Sequence, residues 1–275
     1  MPLVETDLRG GVMTVTLADE ERRNSLSRQL TGELVAALDI ADHDPDVRVV
    51  VLTNKGTVFC AGANLADQSS ADTAVTPGTG LDPRALFGRF RHSPKPYVGR
   101  IAGHCVAGGM GLAAALDISV AVDHAKFGFT EVRIGVAPAM ISVVCLPKMR
   151  PADARAAFLR GHRFPAAEAA RMGLINSAVP ADRLDEEVDA IVGDLLAGGP
   201  DAIAAAKQLT AVVPGLPEDE AFEWTAALSA RLFAGDEARE GITAYLEKRP
   251  ASWAVSPRTS VTTSGVDTPS TTTKT

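Results

Sequence analysis

The chain has 275 residues, 46% hydrophobic and 22% charged, the balance of an ordinary globular protein able to bury a sizeable core in one large domain or a domain with an appendage. Its 27 basic and 34 acidic residues leave a net charge of −7, and no Lys/Arg run with interleaved aromatics occurs, which argues against nucleic acid as a partner. The opening "MPLVETDLRG" lacks a basic stretch followed by an apolar one, and no apolar run reaches the roughly 18 residues of a spanning helix, so a cytoplasmic protein with no membrane contact is expected.

In chain order, "VETDLRGGVMTVTL" reads as a hairpin about Gly10-Gly11. Ser27 is a fair N-cap for a helix whose Leu30, Leu34, Leu38 and Ala41 recur every three or four residues. "VRVVVLT" (47–53) suits a buried strand that ends in an "NKG" turn. Residues 66–83 are small, polar and aperiodic, and are expected to form a long binding loop or lid. A strand near 97–102, an Ala-rich helix near 109–116 and the strand "ISVAV" (118–122) indicate α/β organisation. Pro165 opens a helix that Gly173 closes, "LINSAV" suggests a strand, and 181–197 carries Leu184, Val188, Ile191, Val192 and Leu195 at helical spacing. "AGGP" (197–200) looks like a hinge, followed only by helical patterns at 201–211, 218–233 and 236–247. The expected division is a core over 1–197, a helical segment over 198–255, and an unfolded Ser/Thr-rich tail over 256–275.

Several constellations could carry chemistry. Cys60, Cys105 and Cys145 are widely separated in apolar sequence and read as buried thiols, and the five histidines lack metal-binding spacing, so no metal is expected. "AGGMGLAAALD" (107–117) sets three glycines just before a helix, where free N–H groups could meet a polarised oxygen or where the glycines simply permit close packing. Gly109, Gly111 and Ala114 mimic a dinucleotide fingerprint, but Asp123 follows Gly109 by only 14 residues, too few for the usual crossover helix and an acid about 20 residues on. "VFCAGANL" (58–65) is a second strand end running into a Gly-bearing turn, and two such turns could aim paired N–H donors at one carbonyl oxygen. No nucleophile elbow and no P-loop occurs. In "FGFTEVRIGVAPA" (127–139), Glu131 stands alone among apolar residues. Either it ends a strand and reaches water or Arg133, or it does chemistry, since ionising an unpaired buried carboxyl is costly.

In this order, "RNSLS", "VFCAGANL", "GHCVAGGMGL", "FGFTEVRIGVAPA" and "EGITAYLEKR" resemble the enoyl-CoA hydratase/isomerase (crotonase) family over residues 4–253. The resemblance implies an α/β spiral of ββα units with a C-terminal helical trimerisation segment, and hence a homotrimer or a dimer of trimers. It implies an acyl-CoA thioester as substrate and no further cofactor. By resemblance the amides of Ala63 and Gly108 grip the thioester oxygen and Glu131 is the general acid/base. Arg23, Ala61, Gly62, Leu65, Gly109, Gly111 and Lys248 then line the substrate and CoA path, Lys248 on a neighbouring subunit. The family's hydratases usually carry a second glutamate 20 residues before the first, where this chain has Gly111. One carboxylate is the pattern of the family's Δ3,Δ2-enoyl-CoA isomerases, yet relatives resembling methylglutaconyl-CoA hydratases also have glycine there. The leading expectation is a hydratase, the second an isomerase, the third a non-catalytic acyl-CoA binder.

Overall fold

The Gly10-Gly11 turn has both glycines at positive φ (56° and 83°) and joins β1 (Val4–Arg9) to β2 (Val12–Leu17) as the expected hairpin. The computed structural model describes residues 1–64 and 84–254. The expected lid at 66–83, Leu65 and the tail at 256–275 therefore lie outside the described residues. The Ser27 hydroxyl accepts from the Leu30 amide at 3.1 Å and starts α1 (Arg28–His43), which buries Leu30, Leu34, Leu38 and Ala41. β3 (Val49–Asn54) is buried at every position, as its unalternating sequence requires of a strand covered on both faces.

β3 runs parallel between β2 and β5 (Tyr97–Ile101). Beyond β5 come β7 (Ile118–Val122) and β10 (Ser177–Val179), giving a six-stranded sheet in the order β1-β2-β3-β5-β7-β10. A second sheet holds β4 (Val58–Cys60), β6 (His104–Val106), β8 (Lys126–Gly128) and β9 (Phe164–Pro165). The expected strand at "LINSAV" shortens to β10, because Leu174 and Ile175 are buried in the core after the Gly173 turn (φ 88°).

Helices fill the intervals. A wide turn at Arg84–Gly88 continues into α2 (Arg89–His92). Then follow α3 (Gly108–Ala115), α4 (Ala139–Cys145), α5 (Pro151–Arg160), α6 (Ala166–Arg171) and α7 (Leu184–Ala197). From α8 (Pro200–Val212) through α9 (Glu218–Phe233) to α10 (Asp236–Glu247) the described chain is helical. The corner at 197–200 is tied down: the Arg48 guanidinium donates to the carbonyls of Gly198 (2.8 Å), Leu196 (3.5 Å) and Trp253 (3.1 Å). A hinge reading of that glycine pair overlooks a guanidinium arriving from far back in the chain.

Candidate active site

The "RNSLS" segment splints the site. Arg23 and Asn24 both adopt left-handed backbone (φ 54° and 51°), which Asn tolerates better than most side chains. The buried Asn24 side-chain amide donates to the carbonyls of Lys55 (3.2 Å) and Val58 (2.7 Å), locking the turn onto the end of β3 and the start of β4. Two main-chain bonds extend the splint: Ala61 N–H donates to Arg23 C=O at 3.1 Å and Leu26 N–H to Gly62 C=O at 2.8 Å.

That splint presents residues 61–63 to the start of α3. Gly62 has φ 87°, and a Cβ there would lie 2.6 Å from Ala107 Cβ and 2.8 Å from the Gly108 nitrogen. A Cβ at Gly108 would lie 3.5 Å from the Ala63 nitrogen, so these two amides belong to adjoining backbone segments. Ala107, at φ 50° and ψ −125°, holds a conformation that costs a non-glycine residue about 1–3 kcal/mol. Its N–H donates to Gly128 C=O at 2.9 Å, which fixes the bend from which Gly108 begins α3. The first amide of a helix has no intrahelical acceptor, and among the described residues neither Gly108 N–H nor Ala63 N–H donates to another main-chain group.

Glu131 is three residues beyond Gly128. It does not end a strand: it begins a one-turn 3-10 helix, Glu131–Ile134, closed by Gly135 at φ 80°. Nor does it pair with Arg133, whose guanidinium caps the C-terminal end of α5 by donating to the carbonyls of Arg160 (3.0 Å) and Gly161 (3.3 Å). Among the described residues Glu131 Oε2 is buried without a hydrogen-bond partner. Desolvation raises the pKa of the carboxyl above its ordinary value, opposed only by its own backbone N–H. Cys145 ties this acid to α3: its thiol approaches Met110 C=O at 3.6 Å, and burial and then the Glu131 charge push its pKa up. Cys60 and Cys105 are also free and buried, and burial holds the Cys60 thiol at about 12, so these are inert thiols.

Gly109 and Gly111 are places of close approach. A Cβ at Gly109 would meet Cys60 C=O at 2.5 Å; one at Gly111 would meet Ile141 Cγ2 at 2.4 Å and Phe87 Cε1 at 3.0 Å. The dinucleotide pattern has no structural counterpart, since α3 stops at Ala115 and Asp123 is exposed. Of the expected CoA contacts, Arg23 is exposed beside the splint, Ala61 is half-buried, and the Gly62 N–H is directed at Cys60 Sγ (3.4 Å). Lys248 is the exposed left-handed cap of α10. Among the described residues the Lys248 amide donates to Tyr245 C=O at 3.2 Å, within its own helix end. The crowding of Gly111 by Phe87 and Ile141 left no trace in the sequence, because an apolar residue in an apolar run carries no mark of what it faces. Among the described residues there is no cluster suited to a metal ion and no helix long and apolar enough to cross a membrane.

The two glycine-bearing turns adjoin at Gly62 and Gly108, and Glu131 follows the strand whose Gly128 carbonyl accepts from Ala107. The family model for enoyl-CoA hydratase/isomerase matches residues 7–256. The enoyl-CoA hydratase EchA19 of Mycobacterium tuberculosis is 34% identical over 246 residues, covering 88% of this chain and 92% of that protein. Mevalonyl-coenzyme A hydratase SIDH of Beauveria bassiana is 31% identical, covering 88% of this chain and 91% of its own. The crystal structure of an enoyl-CoA hydratase from Mycobacterium smegmatis superposes with a TM-score of 0.83 at 27% identity, over 92% of this chain and 99% of the other. The chain belongs to the enoyl-CoA hydratase/isomerase family and has the crotonase fold.

Proposed function

We propose that this protein adds water across the double bond of a 2-enoyl-CoA thioester. The amides of Ala63 and Gly108 hold the thioester oxygen, where charge develops as the enolate forms, and losing one such donor typically costs about 2.7–4 kcal/mol of transition-state stabilisation. Ionised Glu131 takes a proton from water while the water oxygen bonds to C3, then returns that proton to C2 as the enolate collapses. Water is consumed and the carboxylate is regenerated. The observation that carries this reading is the buried Oε2 of Glu131, unpartnered among the described residues, on a turn that follows the strand bonded to Ala107. A carboxyl in such a place has its basicity raised toward useful pH. The hydratase relatives support the same direction.

The absence of an acid at Gly111 favours a second reading, in which Glu131 takes the C2 proton of a 3-enoyl-CoA and returns it to C4, migrating the double bond. Assays of hydration and of migration on one enoyl-CoA panel separate the two. Glu131→Gln is expected to abolish the true activity by about 10²-fold or more. Full rate in that variant, with hydration intact, overturns the assignment of the base.

Assembly is part of the proposal. Glu237, near the start of α10, accepts from the Asp201 and Ala202 amides at the start of α8, and Trp253 binds Arg48 before the N-terminal end of β3. The site loop follows the other end of β3. In this reading Lys248 serves a phosphate of coenzyme A on a neighbouring subunit, in the trimer or dimer of trimers that the family pattern implies.

A further inference from the structure

We infer that Ile141, backed by Phe87, is the residue that holds this site to a single carboxyl, an inference that rests on the proposed role of Glu131. Gly111 is on α3, one turn beyond Gly108, and is buried. The direction its side chain would take is occupied: Ile141 Cγ2 stands 2.4 Å, Ile141 Cβ 3.0 Å and Phe87 Cε1 3.0 Å from an ideal Cβ. Real Cβ atoms do not approach other heavy atoms to 2.4 Å, so any side chain at 111 has to displace Ile141. Ile141 is 4% exposed and Phe87 8% exposed, which leaves the isoleucine little room to retreat. The same short helix places Cys145 against the Met110 carbonyl of α3 at 3.6 Å, so α4 is packed onto the helix that carries Gly111.

The missing second acid is thus coupled to a bulky neighbour far along the chain, and residues 111 and 141 act as one unit. Restoring an acid by Gly111→Glu alone overpacks the helix contact. Replacing Ile141 with Ala removes the atom at 2.4 Å, and the next two nearest approaches are at 3.0 Å, which a small shift relieves. With the acid admitted, water can be deprotonated by carboxylate 111 as its oxygen bonds to C3, while protonated Glu131 supplies the C2 proton. One proton then passes from carboxyl 111 back to carboxylate 131 to complete the cycle. Water addition gains from the second acid, whereas migration from C2 to C4 needs only one.

The test compares wild type, Gly111→Glu, Ile141→Ala and the double variant for Tm and for the ratio of hydration to double-bond migration on a straight-chain enoyl-CoA pair. The ratio is independent of the folded fraction, so a purely structural role does not move it. The expected result is a lowered Tm for Gly111→Glu alone, recovery of Tm in the double variant, and a hydration-to-migration ratio in the double variant at least about tenfold above that of Ile141→Ala. Wild-type Tm for Gly111→Glu alone, or a double variant whose ratio equals that of Ile141→Ala, overturns the inference. Failure of the Glu131 assignment shows instead as retained activity in Glu131→Gln, whatever the 111/141 variants do.

Discussion

Glu131 has no counter-ion among its described neighbours, and its stability signature follows from that. Burial raises its folded pKa above the ordinary 4.5, so the folded protein favours the protonated acid. The stability tied to protonation is fully present below 4.5 and is lost as pH rises through the folded value. Glu131→Gln keeps the neutral form at every pH. It is expected to match wild-type Tm near about pH 4 and to exceed it near about pH 8, while being inactive. Thermal melts across that range check the sign, and a variant less stable than wild type at high pH contradicts it. The wild-type rate should fall on the acidic side through a pKa above the usual glutamate range, because proton uptake needs the carboxylate.

At the scale of elements, α8 is pinned to the core by one buried ammonium. Lys207 Nζ donates to Lys95 C=O and to Asp117 Oδ2, both at 2.7 Å, and lies 5.2 Å from the Tyr97 ring centroid. Desolvation is the main influence on both members of the pair, raising Asp117 and lowering Lys207, and it offsets much of their attraction. Removing one partner is another matter, since it strands the other. Lys207→Ala is expected to cost about 3 kcal/mol, the low end for a broken buried pair because Lys148 also attracts Asp117, and urea unfolding measures it. The long terminal helices at 218–233 and 236–247 and the opening hairpin match their sequence patterns residue for residue. The helix after Pro138 was legible as α4, whereas α2 and α5 were not. α2 is a single turn, and in α5 Leu159 faces outward while only Ala154 and Ala157 are buried, so no strong amphipathic period marks either.

At the scale of the whole molecule, the C-terminal helices bury few apolar side chains against their own chain, Ala205, Leu228 and Ala244 among the described residues. Phe222, Phe233 and Tyr245 stand 68%, 70% and 83% exposed, a density of large apolar groups that a lone subunit seldom leaves in water. In the assembly we propose, a neighbour covers them. Phe222→Asp combined with Tyr245→Asp is expected to shift the mass measured by light scattering toward the monomer and to weaken CoA-ester binding through loss of the neighbour's Lys248. An unchanged mass with both substitutions would rule out these helices as the interface.

The hairpin, the Ser27 cap and the two glycine-bearing turns were readable from the chain, because turns, caps and helix starts impose local demands of φ and hydrogen bonding on adjacent residues, while the glycine at 111 stood out only by the family resemblance. Tertiary structure alone decided that Arg133 caps α5 instead of pairing with Glu131, that Arg48 fixes the corner at 198, and that Ile141 and Phe87 occupy the space beside Gly111. Those facts depend on which surfaces the fold presses together. Volume and partner choice between residues distant in sequence leave no local pattern to read.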